Sequence, residues 1–343
     1  TPYTDRLEDD RAFGQQELRA AGVAIIPQEN FTSFDDAIAY VKANPTRYVI
    51  KPSGEAQNYK RLLFVGEEDD GRDVIQVLDD YKRAWADKIK EFQLQRRIMA
   101  VEVATGAFFN GSEFAYPICV NFEHKKLFPG DIGPSTGEMG TAMFWSEPNK
   151  IFNATLKKME PKLRRERFVG YIDINCIANS NGIYPLEFTP RFGYPTISIQ
   201  QEGLLLPTAE LLYKLAEGSI TRFRARSGFQ VGVRIVVPPF PFKDKETFDS
   251  SSRDAVILFK TLSREGIHIE DVKLVNGEWL VTGTAGVALI VCGIGPTMKQ
   301  AQRQVYNRVK NVMIPNMYFR EDIGDRWNEE DSDRLHSWGY LRE

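Results

Sequence analysis

One apolar hairpin ends in two acids and an arginine that could do chemistry together. Glu187 sits inside the apolar run Ile183, Leu186 and Phe188, which ends in the turn T-P-R-F-G-Y-P at 189–195. A carboxylate in a buried strand costs several kcal/mol unless something pairs with it. Glu187 therefore requires a cation, which either Arg191 or a bound metal can supply. Asp173 lies inside the preceding strand candidate, 168–178, and Asn179-Ser180-Asn181-Gly182 reads as the loop joining the two strands. Adjacent strands would aim both acids at one point, and oxygen ligands of this kind suit Mg²⁺ shared with phosphates. The plainer reading is a structural Glu–Arg pair in a turn.

Two further pieces carry weaker chemistry. Lys51 ends a short strand ahead of the loop P-S-G-E-A-Q-N-Y-K-R, where it reads as either a phosphate contact or a solvated lysine. The segment D-I-G-P-S-T-G-E-M-G at 131–140 reads as a glycine-rich loop able to turn several N–H groups toward an anion, or simply as a tight loop. No G-x-x-x-x-G-K-[ST] or G-x-G-x-x-G is present, which disfavours Walker-type and Rossmann chemistry, and no Cys/His pair carries a local signature that would support covalent hydrolysis.

The elements that must position these residues fit a chain of 343 residues, long enough for two or three packed units. A net charge of −3 gives no general reason to bind nucleic acid or membrane, and no apolar run reaches membrane-spanning length. Three cysteines in apolar contexts read as core thiols of a reducing compartment, so a cytoplasmic location is expected. The three scattered histidines argue against zinc. A first residue of Thr rather than Met suggests a fragment or a processed form.

Periodicity predicts a helix over 5–21, a strand over 23–26, a helix from Ser33 to Asn44, and an unbroken helix over 149–163. It also predicts a helix through Val256, Phe259 and Leu262, a meander over 271–291, and a long helix after Met298. Asn110-Gly111 and Asn276-Gly277 mark tight hairpins.

Taken in order, the pieces V-I-K-P-S-G, V-E-V-A-T-G-A-F-F-N-G, H-K-K…G-D-I-G-P-S-T-G-E-M-G and L-E-F-T-P-R-F-G-Y-P resemble the ATP-grasp superfamily. Within it, the chain looks most like the phosphoribosylamine–glycine ligase (glycinamide ribonucleotide synthetase) family, without that family's N-terminal domain. The C-terminal run V-T-G-T-A-G-V-A-L-I-V-C-G-I-G and the later F-R-E-D-I-G are similar too.

The resemblance implies an α+β, ATP-grasp fold: two α+β subdomains gripping ATP and a small C-terminal β-rich domain. The expected units are a helical lead-in at 1–30, a small lid subdomain at 31–93 and a large subdomain with the metal site at 94–228. A β-rich domain at 229–327 and a charged surface tail at 328–343 follow. It further implies that Lys51, with Lys60 as a second candidate, contacts the nucleotide phosphates. Gln93, Leu94 and Gln95 would form the adenine hinge, and Glu102 would hold the ribose. Asp173, Glu187 and Thr189 would bind Mg²⁺ or Mn²⁺. Arg191 would face the carboxylate, while Asp131 with Gly133, Pro134, Ser135, Thr136 and Gly137 would hold the acceptor side. Arg191, Lys51 and Asp131 are the expected catalytic residues.

The implied reaction is ATP-dependent amide formation through an acyl phosphate, with ADP and phosphate released. Glycine or a similar carboxylate would be joined to an amine such as phosphoribosylamine, in purine nucleotide metabolism or a specialised relative of it. The sequence departs from the family at Thr189 (Asn in the family), at Tyr194-Pro195-Thr196 (Asp-Pro-Glu) and at Glu138 (Gly). Thr189, Tyr194 and the glycine-poor loop K-P-S-G-E-A-Q-N-Y-K suggest the alternative, an inactive nucleotide-binding or regulatory relative.

Overall fold

The computed structural model describes residues 1–342, the side chains of Asn58 and Lys60 excepted. Two sheets organise it. A four-stranded antiparallel sheet holds β1 (Gln28–Phe31), β2 (Tyr48–Pro52), β3 (Phe64–Val65) and β4 (Phe92–Arg96) in the order β1-β4-β2-β3. Helices Phe34–Ala43 and Arg72–Ala84 cover it, and their apolar stripes pack with Tyr48, Ile50, Phe92 and Leu94 into a separate small core. Ser33 caps the first of these helices by accepting from the Asp36 N–H, as its spacing predicts.

The larger sheet takes β5 (Val101–Asn110), β6 (Phe114–Phe128), β7 (Ile132–Ser146), β8 (Val169–Asn179), β9 (Gly182–Thr189) and β10 (Phe229–Val236). Two short strands pair outside it, β11 (Leu258–Phe259) with the later Val312–Met313. Next come β12 (Ile267–Ile269), the hairpin β13 (Val272–Val275) and β14 (Glu278–Val281), then β15 (Val287–Gly295). The eight strands run β12-β15-β10-β7-β6-β5-β8-β9. Residue 228 thus marks no break in the sheet: β10 hydrogen-bonds β7 on one side and β15 on the other.

Both Asn-Gly dipeptides turn hairpins. The Asn110 side chain accepts from the backbone N–H groups of Ser112 and Glu113, and Gly111 takes φ +95. Asn276 and Gly277 take φ 52 and 85 between β13 and β14, the pair of positive values that such a turn requires.

Several expectations are corrected. The N-terminal region forms two helices, Pro2–Asp9 and Arg11–Ala20, because the Asp10 side chain caps a new start. The strand expected at 23–26 lies instead at Gln28–Phe31. The helix expected over 149–163 is three pieces: it halts at Thr155 and restarts at Glu160, where Pro161 is tolerated only in a first turn. The expected helix through Phe259 is strand β11, since Phe259 packs on Trp279 while Leu262 stands 96% exposed. The segment 132–140 is not a loop but the first part of β7. The charged tail is a packed element: Leu335 and Tyr340 are buried, and Trp327, just before it, is buried edge-on and tilted among Phe122, Phe144 and Phe229.

Candidate active site

Strand alternation gathers the polar groups on one face of the large sheet. Side chains two residues apart on a strand share a face. Asn121, Glu123 and Lys125 therefore line up on β6, Asp173 and Asn175 on β8, and Glu187 and Thr189 on β9. Register sets them opposite one another: Asn175 faces Glu187 and Asp173 faces Thr189, as the hairpin reading of 168–188 requires. Glu102 joins from β5.

The centre of the cluster is a lysine. Lys125 Nζ lies 2.8 Å from Glu102 Oε1, 3.2 Å from Glu123 Oε2 and 3.7 Å from Glu187 Oε1. Asn175 Nδ2 donates to Glu102 Oε1 (3.1 Å) and Glu123 Oε2 (3.2 Å), while its buried Oδ1 has no partner. From the helix Arg11–Ala20, Arg11 Nη2 reaches Glu187 Oε2 at 3.1 Å. Gln15 on the same helix donates to the carbonyls of Pro185 and Leu186, fixing that helix to the sheet edge.

Electrostatics follows from this crowding. Burial opposes the charge on Lys125, but the surrounding carboxylates raise its pKa well above the usual lysine value. Burial likewise opposes ionisation of Glu102, and Lys125 more than offsets it, leaving Glu102 low. Glu123 ends up raised, by burial and by Glu102 and Glu187 beyond what Lys125 relieves. From the small sheet, Lys51 faces the same charges. Burial, then Arg11, lowers it to about 8, with Glu187 partly offsetting them. Lys51 is thus a cation of the small sheet within electrostatic reach of Glu187 and Glu102 on the large one.

Asp173 has a different setting. Its Oδ2 accepts from Asn121 Nδ2 (2.9 Å) and the Tyr171 hydroxyl (3.0 Å), and burial raises its pKa to about 7. A side chain at Gly106 would collide with the Tyr171 hydroxyl and Asp173 Oδ2, so glycine makes room for this bond.

The other expected residues are placed as follows. Thr189 stands at the end of β9 opposite Asp173. Arg191 is more than half exposed and bound to Glu8, with Nη2 to Oε1 at 2.7 Å. Gln93, Leu94 and Gln95 are buried in β4, paired with β1 on one side and β2 on the other. Their backbone is therefore committed to the sheet, and the chain crosses between the two sheets at 97–100 instead. The Lys60 side chain lies outside the described residues.

Asp131 accepts from Arg320 Nη1 (2.9 Å) and Arg326 Nη1 (3.1 Å), whose charges overcome its partial burial and hold it ionised. Arg326 also donates to the Glu123 carbonyl, linking Asp131 to the cluster's strand. Beside them His124 is held neutral, its pKa pushed down to about 3 by burial and by these two arginines, and its Nε2 accepts from the Gly324 N–H. Of the stretch Gly133 to Gly137, Ser135 pairs with Lys126 in the ladder and the Thr136 hydroxyl donates to the Lys125 carbonyl. These are strand positions rather than an open N–H cradle.

Sequence reasoning missed Lys125, Glu123, Asn175 and Arg11. The alternation Asn121, Glu123, Lys125 was a readable signal for the first two, because period-2 polar residues in an otherwise apolar strand must share a face. Arg11 had none: 176 residues separate it from Glu187.

The oxygens present suit a hard divalent cation. Glu187 and Asn175 oppose each other, the Asn175 Oδ1 is buried and unpartnered, and Glu123 and Thr189 flank them. Among the described residues no three His, Cys, Asp or Glu side chains stand at ligand spacing, because Lys125 occupies the point where the acids converge.

Comparison with known proteins places this arrangement. The family model described as "Phosphoribosylglycinamide synthetase, ATP-grasp (A) domain" matches residues 9–197, more than half the chain. The phosphoribosylamine–glycine ligase of Halalkalibacterium halodurans is 24% identical over 334 residues, covering 93% of this chain and 74% of that protein. The enzyme of the same name from Listeria monocytogenes is also 24% identical, covering 93% and 76%. Among solved structures, Thermotoga maritima phosphoribosylamine–glycine ligase superposes with a TM-score of 0.71 at 22% identity, covering 94% of this chain and 80% of that one. The biotin carboxylase domain of Hydrogenobacter thermophilus 2-oxoglutarate carboxylase gives a TM-score of 0.62 at 12% identity, covering 97% and 74%. The fold is ATP-grasp, and the chain belongs to the phosphoribosylglycinamide synthetase ATP-grasp (A) domain family.

Proposed function

We propose that this chain is an ATP-dependent carboxylate–amine ligase that joins glycine, or a similar amino acid, to phosphoribosylamine or a related amine in the cytoplasm. The observation that carries the reading is the convergence of Lys51 from the small sheet with Glu102, Glu123, Lys125 and Glu187 of the large sheet, inside the stretch that matches the family.

The residues have distinct tasks in this reading. Units 31–93 and 94–228 close on the nucleotide. Lys51 neutralises its phosphates, and Glu102 receives the ribose hydroxyls. Glu187, Asn175 and Thr189 would hold Mg²⁺, with Asp173 behind them. The metal supplies charge neutralisation at the transferring phosphoryl group. Arg191 leaves Glu8 to clamp the substrate carboxylate in a bidentate pair. Asp131, held by Arg320 and Arg326, orders the acceptor end of β7.

A carboxylate is a poor electrophile, so its oxygen first attacks the γ-phosphorus and ADP leaves. The amine then attacks the acyl carbon, phosphate leaves and the amine gives up a proton. The segment 54–62, in which Gln57 donates to the Asp9 carbonyl at 2.5 Å, would close over the site and exclude water from the intermediate.

A second reading, nucleotide binding without turnover, is favoured by the pairs Arg191–Glu8 and Arg11–Glu187, which engage two groups the reaction needs. ADP release measured with ATP, glycine and phosphoribosylamine, and with each omitted in turn, separates the two. Release that needs all three supports the ligase. ATP binding with no release under any combination supports the second reading.

A further inference from the structure

Away from the carboxylate cluster, a groove of about 490 Å³ opens at the start of β10, where β15 leads into the helix Met298–Val309. Leu205, Arg226, Ser227, Gln230, Ile294 and Pro296 line it. None of these belongs to the cluster described above.

Gln230 is the unexplained residue. It is 1% exposed, and neither its Nε2 nor its Oε1 has a hydrogen-bond partner among the described residues. The nearby Trp145 Nε1 is likewise buried without a partner. A side chain at Gly203 would stand 2.5 Å from that indole nitrogen and 3.0 Å from Gln230 Cδ, so only glycine lets both side chains pack this closely against the backbone. Leaving a buried amide unsatisfied is costly, and the two orphaned atoms of Gln230, which lines the groove, mark a spot that something polar completes.

The charge of the groove defines what that is. Its lining holds one cation, Arg226, and no carboxylate. Arg226 forms no ion pair among the described residues, and its backbone N–H is fixed to the Gly203 carbonyl at 2.7 Å. Glu202, an acid whose ionisation Arg226 favours, is held by His268 at 2.9 Å. The helix that follows Pro296 directs the positive end of its dipole toward the same region.

We infer that this groove binds a small phosphate- or carboxylate-bearing metabolite, its anionic oxygens on Arg226 and a neighbouring hydroxyl on the Gln230 amide. The amide presents both a donor and an acceptor, which suits a protonated oxyanion or an adjacent alcohol better than a bare anion. The volume matches that of ordinary small-molecule sites. This is a second site, independent of the ligase reading.

Titration calorimetry on the full chain with inorganic phosphate and, separately, acetate tests it, each with and without saturating ADP. Binding of one anion that persists with ADP present is expected, and the anion that binds identifies the group. Arg226→Ala should abolish it and Gln230→Leu should weaken it about tenfold or more. Gln230→Leu should also fold with an undiminished melting temperature, since it replaces an unsatisfied amide by an apolar group of similar size. No binding of either anion, or binding that both variants retain, would overturn the inference and leave the orphaned atoms to solvent.

Discussion

Asn175 and Glu187 stand directly opposite one another on adjacent antiparallel strands, and both meet the charge field of one lysine, Lys125. Asn175 donates to the same Glu102 and Glu123 oxygens that Lys125 pairs with, while its own carbonyl oxygen remains unpartnered. Three acids therefore share one built-in cation, and two of them also share one amide.

Removing that cation should be destabilising. Lys125→Met leaves Glu102, Glu123 and Glu187 in mutual repulsion, and an unfolding midpoint in urea should reveal a loss of about 2–3 kcal/mol. Adding Glu102→Gln to the variant should restore part of it. Additive losses in the double variant would mean that the two side chains do not share this network.

Lys51 should make nucleotide binding sensitive to pH. Phosphates need the protonated amine, and its pKa of about 8 means the charge is complete below that pH and lost above it. ATP affinity should hold steady up to pH 8 and then fall about tenfold per unit. Lys51→Arg, which stays charged, should flatten the profile; an unchanged slope in that variant would assign the titration elsewhere.

Asp173 should set a parallel trend in stability. Its folded pKa of about 7 lies above the ordinary 3.8, so the folded chain holds an extra proton between those values. Stability from this group is present at low pH and declines as pH rises through 7. Asp173→Asn should therefore stabilise the fold at pH 8 by about 1–4 kcal/mol and far less at pH 4. Calorimetric melting at the two pH values measures this, and equal shifts at both would contradict it.

How much of this could be read in advance depended on the distance over which the signal acts. The β8–β9 hairpin, with Asp173 and Glu187 aimed at one face, followed from alternation and an Asn-Gly loop, both local signals. The segment at 132–140 read as a loop because glycines favour turns, yet β6 supplies a ladder partner that makes it a strand. Gln93 to Gln95 sit in the middle strand of the small sheet, a position set by pairing with β1 and β2 from far along the chain. Phe259 lost its helical pattern to Trp279, another tertiary contact. Lys125 stood in a quoted run, but only the folded register brings three carboxylates to its ammonium.

The tail illustrates the same point and gives a stability test. Its charge suggested a surface segment, whereas Leu335 and Tyr340 are buried and Trp327 at its root packs against three phenylalanines of the large sheet. Trp327→Ala should cost about 3–5 kcal/mol in denaturant unfolding. A loss below about 1 kcal/mol would show that the tail does not hold the sheet.

The central claim is that the cluster around Glu187 activates a carboxylate as its acyl phosphate. Turnover of glycine labelled with ¹⁸O in its carboxylate, with ATP and phosphoribosylamine, tests this most directly. One labelled oxygen should appear in the inorganic phosphate for each ADP formed, and Glu187→Gln should form neither while remaining folded. ADP formation with no label in the phosphate would contradict the account.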